Sequence, residues 1–396
     1  MTVIPTTAAM LVILTLSSMS VFGIAVLAPE SASWFDLNAR FIGPLNSAIY
    51  LCAAVAGSLS SRYILRYGAV RICQICMICA ALGLAAYASG ELLALPLCAL
   101  FLGVAYGPYN PASAHVLAEI TTEKSRPLVF SVKQLGVPIG GMLAGAALPV
   151  MTLWLGWQVS ALCVAVLALL VAWWVQPLHH REQAARASNP PGGSAGMLAC
   201  LALVLHDAHL RRYTLVAFAF AGAQVCAGAF IVVYLTEELK MTLVNAGLVL
   251  SIMQLGGVLG RLAWGFIAER ALRSTTALAL LGTLTSACML LTAHLDAGWP
   301  YVGIMALSLV LGFNAFGWNG VVLSKIATLA PARRSADATG GMQFVMFGGV
   351  VIFPSLFAVL IGITGGYRIP FYLLAVVAFC GVLILLGERH ARSTGM

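Results

Sequence analysis

The chain has 396 residues, of which 61% are hydrophobic and only 9% are charged. A soluble domain carries about 25% charged residues, so this composition excludes a protein whose surface is covered by water. The net charge of +8 lies in short connections between apolar blocks, where it orients a membrane protein and does not indicate nucleic-acid binding.

The apolar blocks are about 20 residues long, which is enough to cross a hydrocarbon core of roughly 30 Å as helices. They predict an all-α polytopic membrane protein that lies in a lipid bilayer. The first block starts without a basic segment and predicts a span rather than a cleaved signal. The twelve predicted spans lie near residues 7–28, 41–60, 70–89, 92–118, 128–150, 153–175, 213–235, 243–268, 275–294, 300–324, 340–363 and 369–386.

The longest polar interval, 176–212, divides the chain into two bundles of six spans, 1–175 and 213–396. Its stretch "HHREQAARASNPPGGSAG" has the composition of a flexible linker. The following "MLACLALVLHDAHLRR" could form a short amphipathic helix on the membrane surface. We therefore predict a cytoplasmic linker that contains a possible surface helix.

Basic residues predict the orientation. With both termini in the cytoplasm, the inner connections hold 16 Lys and Arg residues and the outer connections hold three. Such a bias is typical of the cytoplasmic side. We expect a monomeric protein of a bacterial inner membrane with both termini cytoplasmic.

The chain also repeats itself. Four residues recur 209 positions later and two recur 208 positions later. A near-constant offset over several spans predicts two homologous halves, which is the plan of a transporter that rocks its halves around a midplane site. The pairs are Gly103 and Gly312, Asn110 and Asn319, Gln134 and Gln343, Gly140 and Gly349, Gly57 and Gly265, and Arg62 and Arg270.

The stretch "GRLAWGFIAER" in the second half resembles the loop signature of the major facilitator superfamily. This resemblance implies that Gly265 permits close helix approach and that Glu269 and Arg270 belong to a charge latch at the inner surface. The first-half version, "GSLSSRYILRYGAVR", keeps Gly57 and Arg62 but has serine where the family usually has aspartate. The latch therefore lacks its acidic partner in that half.

"GVPIGG" resembles the fifth-helix motif of antiporters in the same superfamily, with a valine in place of the glycine before Pro138. The match is partial and does not establish exchange. Gly136, Gly140 and Gly141 lie in small-xxx-small pairs that let helix backbones pack closely. Pro138 frees a backbone carbonyl and predicts a bend.

Lys133 precedes this motif. If the fifth span starts near residue 128, a rise of 1.5 Å per residue places Lys133 on the order of 8–10 Å inside the core. A charge at that depth normally faces a cavity or a partner, and the adjacent Gln134 favours a binding or gating role. The alternative is that the lysine snorkels to the inner headgroups and anchors the helix.

Arg261 is the second cation inside a predicted span. It could hold inner helix ends together through backbone carbonyls. "GRLAWG" also resembles the eighth helix of monocarboxylate carriers, which implies an arginine that pairs with a substrate carboxylate. Those carriers have an aspartate one turn earlier, where this chain has Gly257, so their proton chemistry does not carry over.

All thirteen acidic residues lie in connections or at the ends of predicted spans. Two cations without a carboxylate partner at mid-membrane favour an anionic solute. Neutral groups could complete the site or could form ordinary interhelical hydrogen bonds, worth about 0.6 kcal/mol on average. These candidates are Asn110, Asn319, Gln134, Gln343, Tyr50, Gln224 and Gln254.

The function predicted is a secondary transporter that moves a small organic anion by alternating access. The chain has no clustered nucleophile, base or metal ligands, so neither an enzyme nor a bound cofactor is expected, although proton or counter-substrate coupling is possible. "SVKQLGVPIGG" and "YGPYNPASAHVLAE" resemble bacterial cyanate and nitroimidazole-resistance permeases. The alternatives are a drug or metabolite exporter of the same fold and, less favoured, a membrane sensor that does not transport.

Overall fold

The structure is a computed structural model, and it describes residues 3–122, 126–179, 182, 197–331 and 334–393. All regular secondary structure among these residues is helical. In chain order the helices are α1 (Val3–Trp34), α2 (Ile42–Tyr67), α3 (Ala69–Ala88), α4 (Leu95–Tyr106), α5 (Tyr109–Ile120), α6 (Arg126–Gln134), α7 (Gly136–Trp174), α8 (Met197–His206), α9 (Ala208–Glu237), α10 (Leu243–Arg270), α11 (Ser274–Thr292), α12 (Tyr301–Ala315), α13 (Trp318–Leu329), α14 (Ser335–Thr364) and α15 (Arg368–Ser393).

Eleven helical stretches within the described residues are long and apolar enough to cross a membrane. One of them, Val132–His179, has 48 residues, and a helix of that length would extend about 72 Å. Gly156 interrupts this stretch with φ 79° and ψ 162°, a conformation that glycine adopts without a steric penalty. The stretch therefore contains two of the twelve predicted spans, and the predicted all-α polytopic fold is confirmed.

Two predicted spans are broken helices. The span predicted at 92–118 consists of α4 and α5, which are separated at Gly107 and Pro108. Because Pro108 has no N–H, it cannot bond the Val104 carbonyl; that carbonyl accepts the Cys76 thiol at 3.7 Å instead. The span predicted at 300–324 breaks at the repeat-related position, between α12 and α13. Each broken stretch still forms one candidate span, Leu92–Leu117 and Tyr301–Leu329.

The fifth predicted span is also divided, with α6 ending at Gln134 and α7 beginning at Gly136. Pro138 lacks the N–H that would bond the Gln134 carbonyl one turn earlier. The discontinuity therefore lies before the proline rather than at it, at Leu135, two residues after Lys133.

Contacts group the chain into two compact units, one comprising Met1–Phe41 and Ala48–Ser194 and the other comprising Ile42–Ser47 and Ala195–Met396. In the first unit, α1 is buried along most of its length and packs against α7. In the second unit, α10 packs closely on α12, because Gly256 and Gly260 bring its backbone against the backbone of Leu309 and Phe313.

Candidate functional site

Lys133 lies in the last turn of α6 and is only 2% exposed. Its Nζ donates hydrogen bonds to Asn110 Oδ1 at 3.2 Å and to Ser113 Oγ at 3.0 Å. The ammonium group is thus held by α5 inside the first unit. The snorkelling alternative requires a side chain that leaves the protein for the headgroups, and this side chain does not.

The break between α4 and α5 positions the two acceptors. α5 begins at Tyr109, so Asn110 and Ser113 lie one turn apart on the same side of the helix. The Tyr109 hydroxyl donates to the Met10 carbonyl, which ties the start of α5 to α1. The Tyr109 ring centroid lies 5.4 Å from Lys133 Nζ, so the same residue also covers the cation.

The groups around Lys133 are neutral. Asn110 and Ser113 are uncharged, and the second aromatic ring near Nζ belongs to Phe130 at 5.9 Å. Within the part of the chain that the structure describes, no carboxylate lies within 4.0 Å of this ammonium. A buried cation surrounded by dipoles and rings is more costly than one with a counter-charge.

The second half does not reproduce this arrangement. Asn319 and Gln343, the repeat mates of Asn110 and Gln134, are both half-buried. Lys133 itself corresponds to Met342, which is buried, and Ser113 corresponds to Val322. Among the described residues, the lysine-centred cluster therefore occurs in the first unit alone.

The cation of the second unit is Arg261, half-buried on α10. Two turns earlier on the same face lies Gln254, which is 0% exposed and whose amide oxygen and nitrogen lack hydrogen-bond partners among the described residues. Gln224 is engaged, because it accepts the Trp318 indole N–H at 2.9 Å. Tyr50, in the first unit, is buried with its ring 5.6 Å from that of Tyr106. Of these four residues, Tyr50 lies in the same unit as Lys133, and the other three lie in the second unit.

The loop-motif residues have mixed environments. At Gly57 an added Cβ would lie 3.1 Å from the Gly107 carbonyl oxygen, so this glycine does allow close approach of α2 to the break that follows α4. At Gly265, by contrast, no described atom lies within 4 Å of an added Cβ. The close approach predicted there does not occur among the described residues, and the tight packing of α10 lies five and nine residues earlier, at Gly260 and Gly256.

The charge latch stays a prediction. Glu269 and Arg270 are exposed, and the Arg270 guanidinium lies over the Phe266 ring at 4.9 Å. The side chain of Arg62 lies outside the described residues.

The fifth-helix motif packs against α1. A Cβ added to Gly136 would meet Leu11 and Leu14, and one added to Gly140 would meet the backbone of α1. Pro138 and Gly141 are buried beside them. The motif therefore holds α7 close to α1 on the C-terminal side of the Lys133 discontinuity.

Glu182 is a buried residue that the sequence placed in the flexible linker. Its carboxylate accepts the backbone N–H of Ala69 at 2.6 Å and of Val70 at 2.9 Å, with His179 Nδ1 at 4.0 Å. α3 begins one residue after α2 ends, so its first N–H groups need an external acceptor. The composition of the linker did not predict this contact, and residues 180, 181 and 183–196 lie outside the described part of the chain.

The chain has ten cysteines, a residue type that binds metals or forms disulfides. All ten are free thiols, and no group of three or more His, Cys, Asp or Glu that could hold a metal occurs among the described residues.

The helical spans, the internal repeat and the buried Lys133 are features of a polytopic membrane transporter. The sequence model of the Major Facilitator Superfamily matches residues 10–354 of this chain. Because this match covers most of the chain, the protein belongs to the Major Facilitator Superfamily. Membership confirms the prediction of a transporter rather than an enzyme, since the similar proteins of this family are transporters.

Two relatives are informative. The chain is 25% identical to a gallate transporter of Pseudomonas putida over 94% of this chain and 89% of the relative. It is 28% identical to the probable galactarate/D-glucarate transporter GudP of Escherichia coli (strain K12), over 39% of this chain and 36% of the relative. The match to GudP thus spans about a third of that protein's length.

A solved structure supports the fold. A bacterial homologue of the human lysosomal transporter Spinster, in an inward-facing and unoccupied conformation, aligns over 97% of this chain and 96% of its own, with a TM-score of 0.75. The sequence identity is 16%, so this likeness concerns the fold alone.

Proposed function

We propose that this protein is a secondary active transporter of a small organic anion that bears a carboxylate. The observation that carries the proposal is Lys133, which is 2% exposed and hydrogen-bonded to neutral groups. A desolvated cation without a counter-charge is costly. An anionic solute offsets that cost, and a carboxylate forms a strong charge-assisted hydrogen bond with an ammonium group.

The names of the relatives support an anionic cargo. The Pseudomonas putida relative is named for gallate, an aromatic carboxylate. The Escherichia coli relative is named for galactarate and D-glucarate, which are dicarboxylates. All three are hydroxylated organic anions. We therefore choose them as probes.

Arg261 is proposed as a second anion-recognition group, because a guanidinium fork matches a carboxylate bidentately. Gln254 lies on the same face of α10 and offers a buried amide without a described partner. We assign it to the same recognition surface. The transport cycle that we propose is alternating access, on the strength of the internal repeat.

Counterflow tests the proposal. Proteoliposomes preloaded with unlabelled gallate, galactarate or D-glucarate are diluted into the labelled anion. We expect transient accumulation of at least one probe, together with no accumulation of choline or glucose. Accumulation of choline with none of the three anions would contradict an anionic cargo and would favour the exporter alternative.

Two substitutions test whether Lys133 and Arg261 bind the transported anion. Lys133→Ala and Arg261→Ala should each lower anion counterflow at least tenfold, since each removes one positive charge. The matched control is Lys240→Ala, which removes a lysine that is exposed and lies outside the candidate spans. Wild-type counterflow in both site variants would return the two cations to a structural role.

The orientation belongs to the same proposal. The excess of basic residues in alternate connections supports an inner-membrane protein with both termini cytoplasmic. A C-terminal alkaline phosphatase fusion should be inactive, and a fluorescent protein fused at the same place should fluoresce. Multi-angle light scattering should give the mass of a monomer.

A further inference from the structure

The number of hydrogen-bond acceptors at Lys133 Nζ differs from what an ammonium group needs. Two described acceptors are present, Asn110 Oδ1 at 3.2 Å and Ser113 Oγ at 3.0 Å. An ammonium group has three N–H donors, whereas a neutral amine has two. The two acceptors therefore satisfy the amine and leave one donor of the ammonium without a partner among the described residues.

The helices packed around Lys133 supply little compensating charge. α1 carries one ionisable residue, Glu30, near its far end, and α7 carries no Asp, Glu, Lys, Arg or His. On α5 the Tyr109 hydroxyl donates to a backbone carbonyl, so it acts as a neutral phenol. On α3 the Cys73 thiol lies 3.9 Å from Met10 Sδ.

The remaining ionisable groups on these helices do not pair with Lys133 among the described contacts. His115 is half-buried on α5, two residues beyond Ser113. Arg71 on α3 donates to Gln74 Oε1 at 3.1 Å. The side chains of Glu119 on α5 and Arg126 on α6 lie outside the described residues. None of the described groups supplies negative charge beside Nζ, and we assign that charge to a bound solute.

We propose that Lys133 is the proton-coupling group of the carrier, neutral when the site is empty and protonated when an anion is bound. The lone pair of the amine takes one proton from water, and the new N–H donates to an anion oxygen, so that R–NH2 + H⁺ + A⁻ gives R–NH3⁺···A⁻. No bond of the anion breaks. Release on the other side of the membrane reverses the step, and one proton moves with each anion, whether it carries one carboxylate or two. This inference rests on the proposed function.

Simultaneous flux measurements test the coupling in the wild-type protein. Proteoliposomes that enclose the pH indicator pyranine receive an inward gradient of labelled gallate or D-glucarate at pH 7. We expect internal acidification that starts with anion entry, at one proton for each gallate. The apparent Kd should also rise as the pH is raised, approaching tenfold per pH unit once the empty site is neutral.

Two variants change the titration rather than the fold. Lys133→Arg replaces the amine by a guanidinium that stays protonated, so its anion affinity should not depend on pH and its anion flux should carry no proton. Asn110→Asp places a carboxylate next to Nζ, which holds the lysine charged. Its anion affinity should fall at least tenfold and lose its pH dependence. The matched control, Lys240→Arg, should keep both wild-type properties.

The outcomes separate this inference from the proposed function. Gallate or D-glucarate entry without protons in the wild type, or proton-coupled entry through Lys133→Arg, overturns the inference and leaves the anion carrier standing. If none of the three probe anions enters through the wild-type protein, the proposed function fails and the inference fails with it.

Discussion

At the scale of single residues, Lys133 costs stability in the absence of a ligand. Its amino group is desolvated, and its described partners are neutral. A desolvated lysine must give up the proton that it holds in water, which costs the empty protein free energy, and an apolar residue of similar volume carries no such cost. The second half already has Met342 at the repeat-related position. We therefore expect Lys133→Met to leave the thermal unfolding midpoint of the empty protein unchanged or raised.

A matched change in the neighbouring helix separates charge from packing. Ser113→Ala keeps the lysine but removes one of its two acceptors, so the empty protein should lose about 1–3 kcal/mol. A midpoint that falls in Lys133→Met and stays constant in Ser113→Ala would mean that the lysine is a structural strut. Differential scanning fluorimetry of both purified variants measures this.

Part of the lysine cluster was predictable from the sequence. Lys133 and Asn110 stood out because a charge and an asparagine are rare inside apolar spans. Ser113 and Tyr109 were missed, since serine and tyrosine in a span usually serve packing. The available signal was the spacing of three that places Ser113 one turn from Asn110. Arg261 was found for the same reason as Lys133, whereas its surroundings depend on tertiary packing that spacing does not reveal.

At the scale of helices, alanine substitutions at a glycine of α7 and at a glycine of α10 should change the unfolding midpoint in opposite directions. A Cβ at Gly140 would overlap the backbone of α1, whereas one at Gly265 would meet open space. Gly140→Ala should therefore lower the unfolding midpoint, because backbone atoms must move. Gly265→Ala should raise it slightly, since alanine favours a helix by about 1 kcal/mol over glycine.

These two substitutions control for each other, because both exchange a glycine for an alanine within a helix. A loss of stability at Gly265 equal to that at Gly140 would contradict the packing described. The sequence alone could not distinguish them, since both glycines lie in motif-like stretches. Only the position of the neighbouring helix decides whether a methyl group fits.

Glu182 makes a further prediction about α3. Its carboxylate accepts two backbone N–H groups at the start of that helix, near the positive end of the helix dipole. Glu182→Ala should destabilise the protein by about 2 kcal/mol, and Glu182→Gln by less, because the amide keeps one acceptor oxygen. Guanidinium or heat denaturation in detergent measures the order wild type, Gln, Ala.

A midpoint for Glu182→Ala equal to that of the wild type would contradict this capping role. The sequence did not predict it. Glu182 lies in a polar interval, and the helix that it caps, α3, starts 113 positions earlier in the sequence. Capping within one helix can be inferred from local spacing, whereas a cap supplied from another part of the chain cannot.

At the scale of the whole molecule, a repeated architecture carries a site that is not repeated. The helix breaks between α4 and α5 and between α12 and α13 lie at related positions. The residues that follow them differ, with a lysine-binding Ser113 in one half and Val322 in the other. The spans and the repeat were predictable because hydropathy and a constant offset are properties of the chain itself. The breaks within the spans were harder to predict. They require packing partners for backbone groups that the helix no longer satisfies, and the sequence does not show those partners.

The most direct test of an anion-binding lysine is the shift in thermal unfolding midpoint that gallate or D-glucarate produces in the wild type and in Lys133→Met. A ligand at 100 times its Kd stabilises the folded state by about 2.7 kcal/mol. The account predicts a rise in the midpoint for wild type and for the Lys240→Met control, and none for Lys133→Met. An equal rise in wild type and Lys133→Met would contradict it.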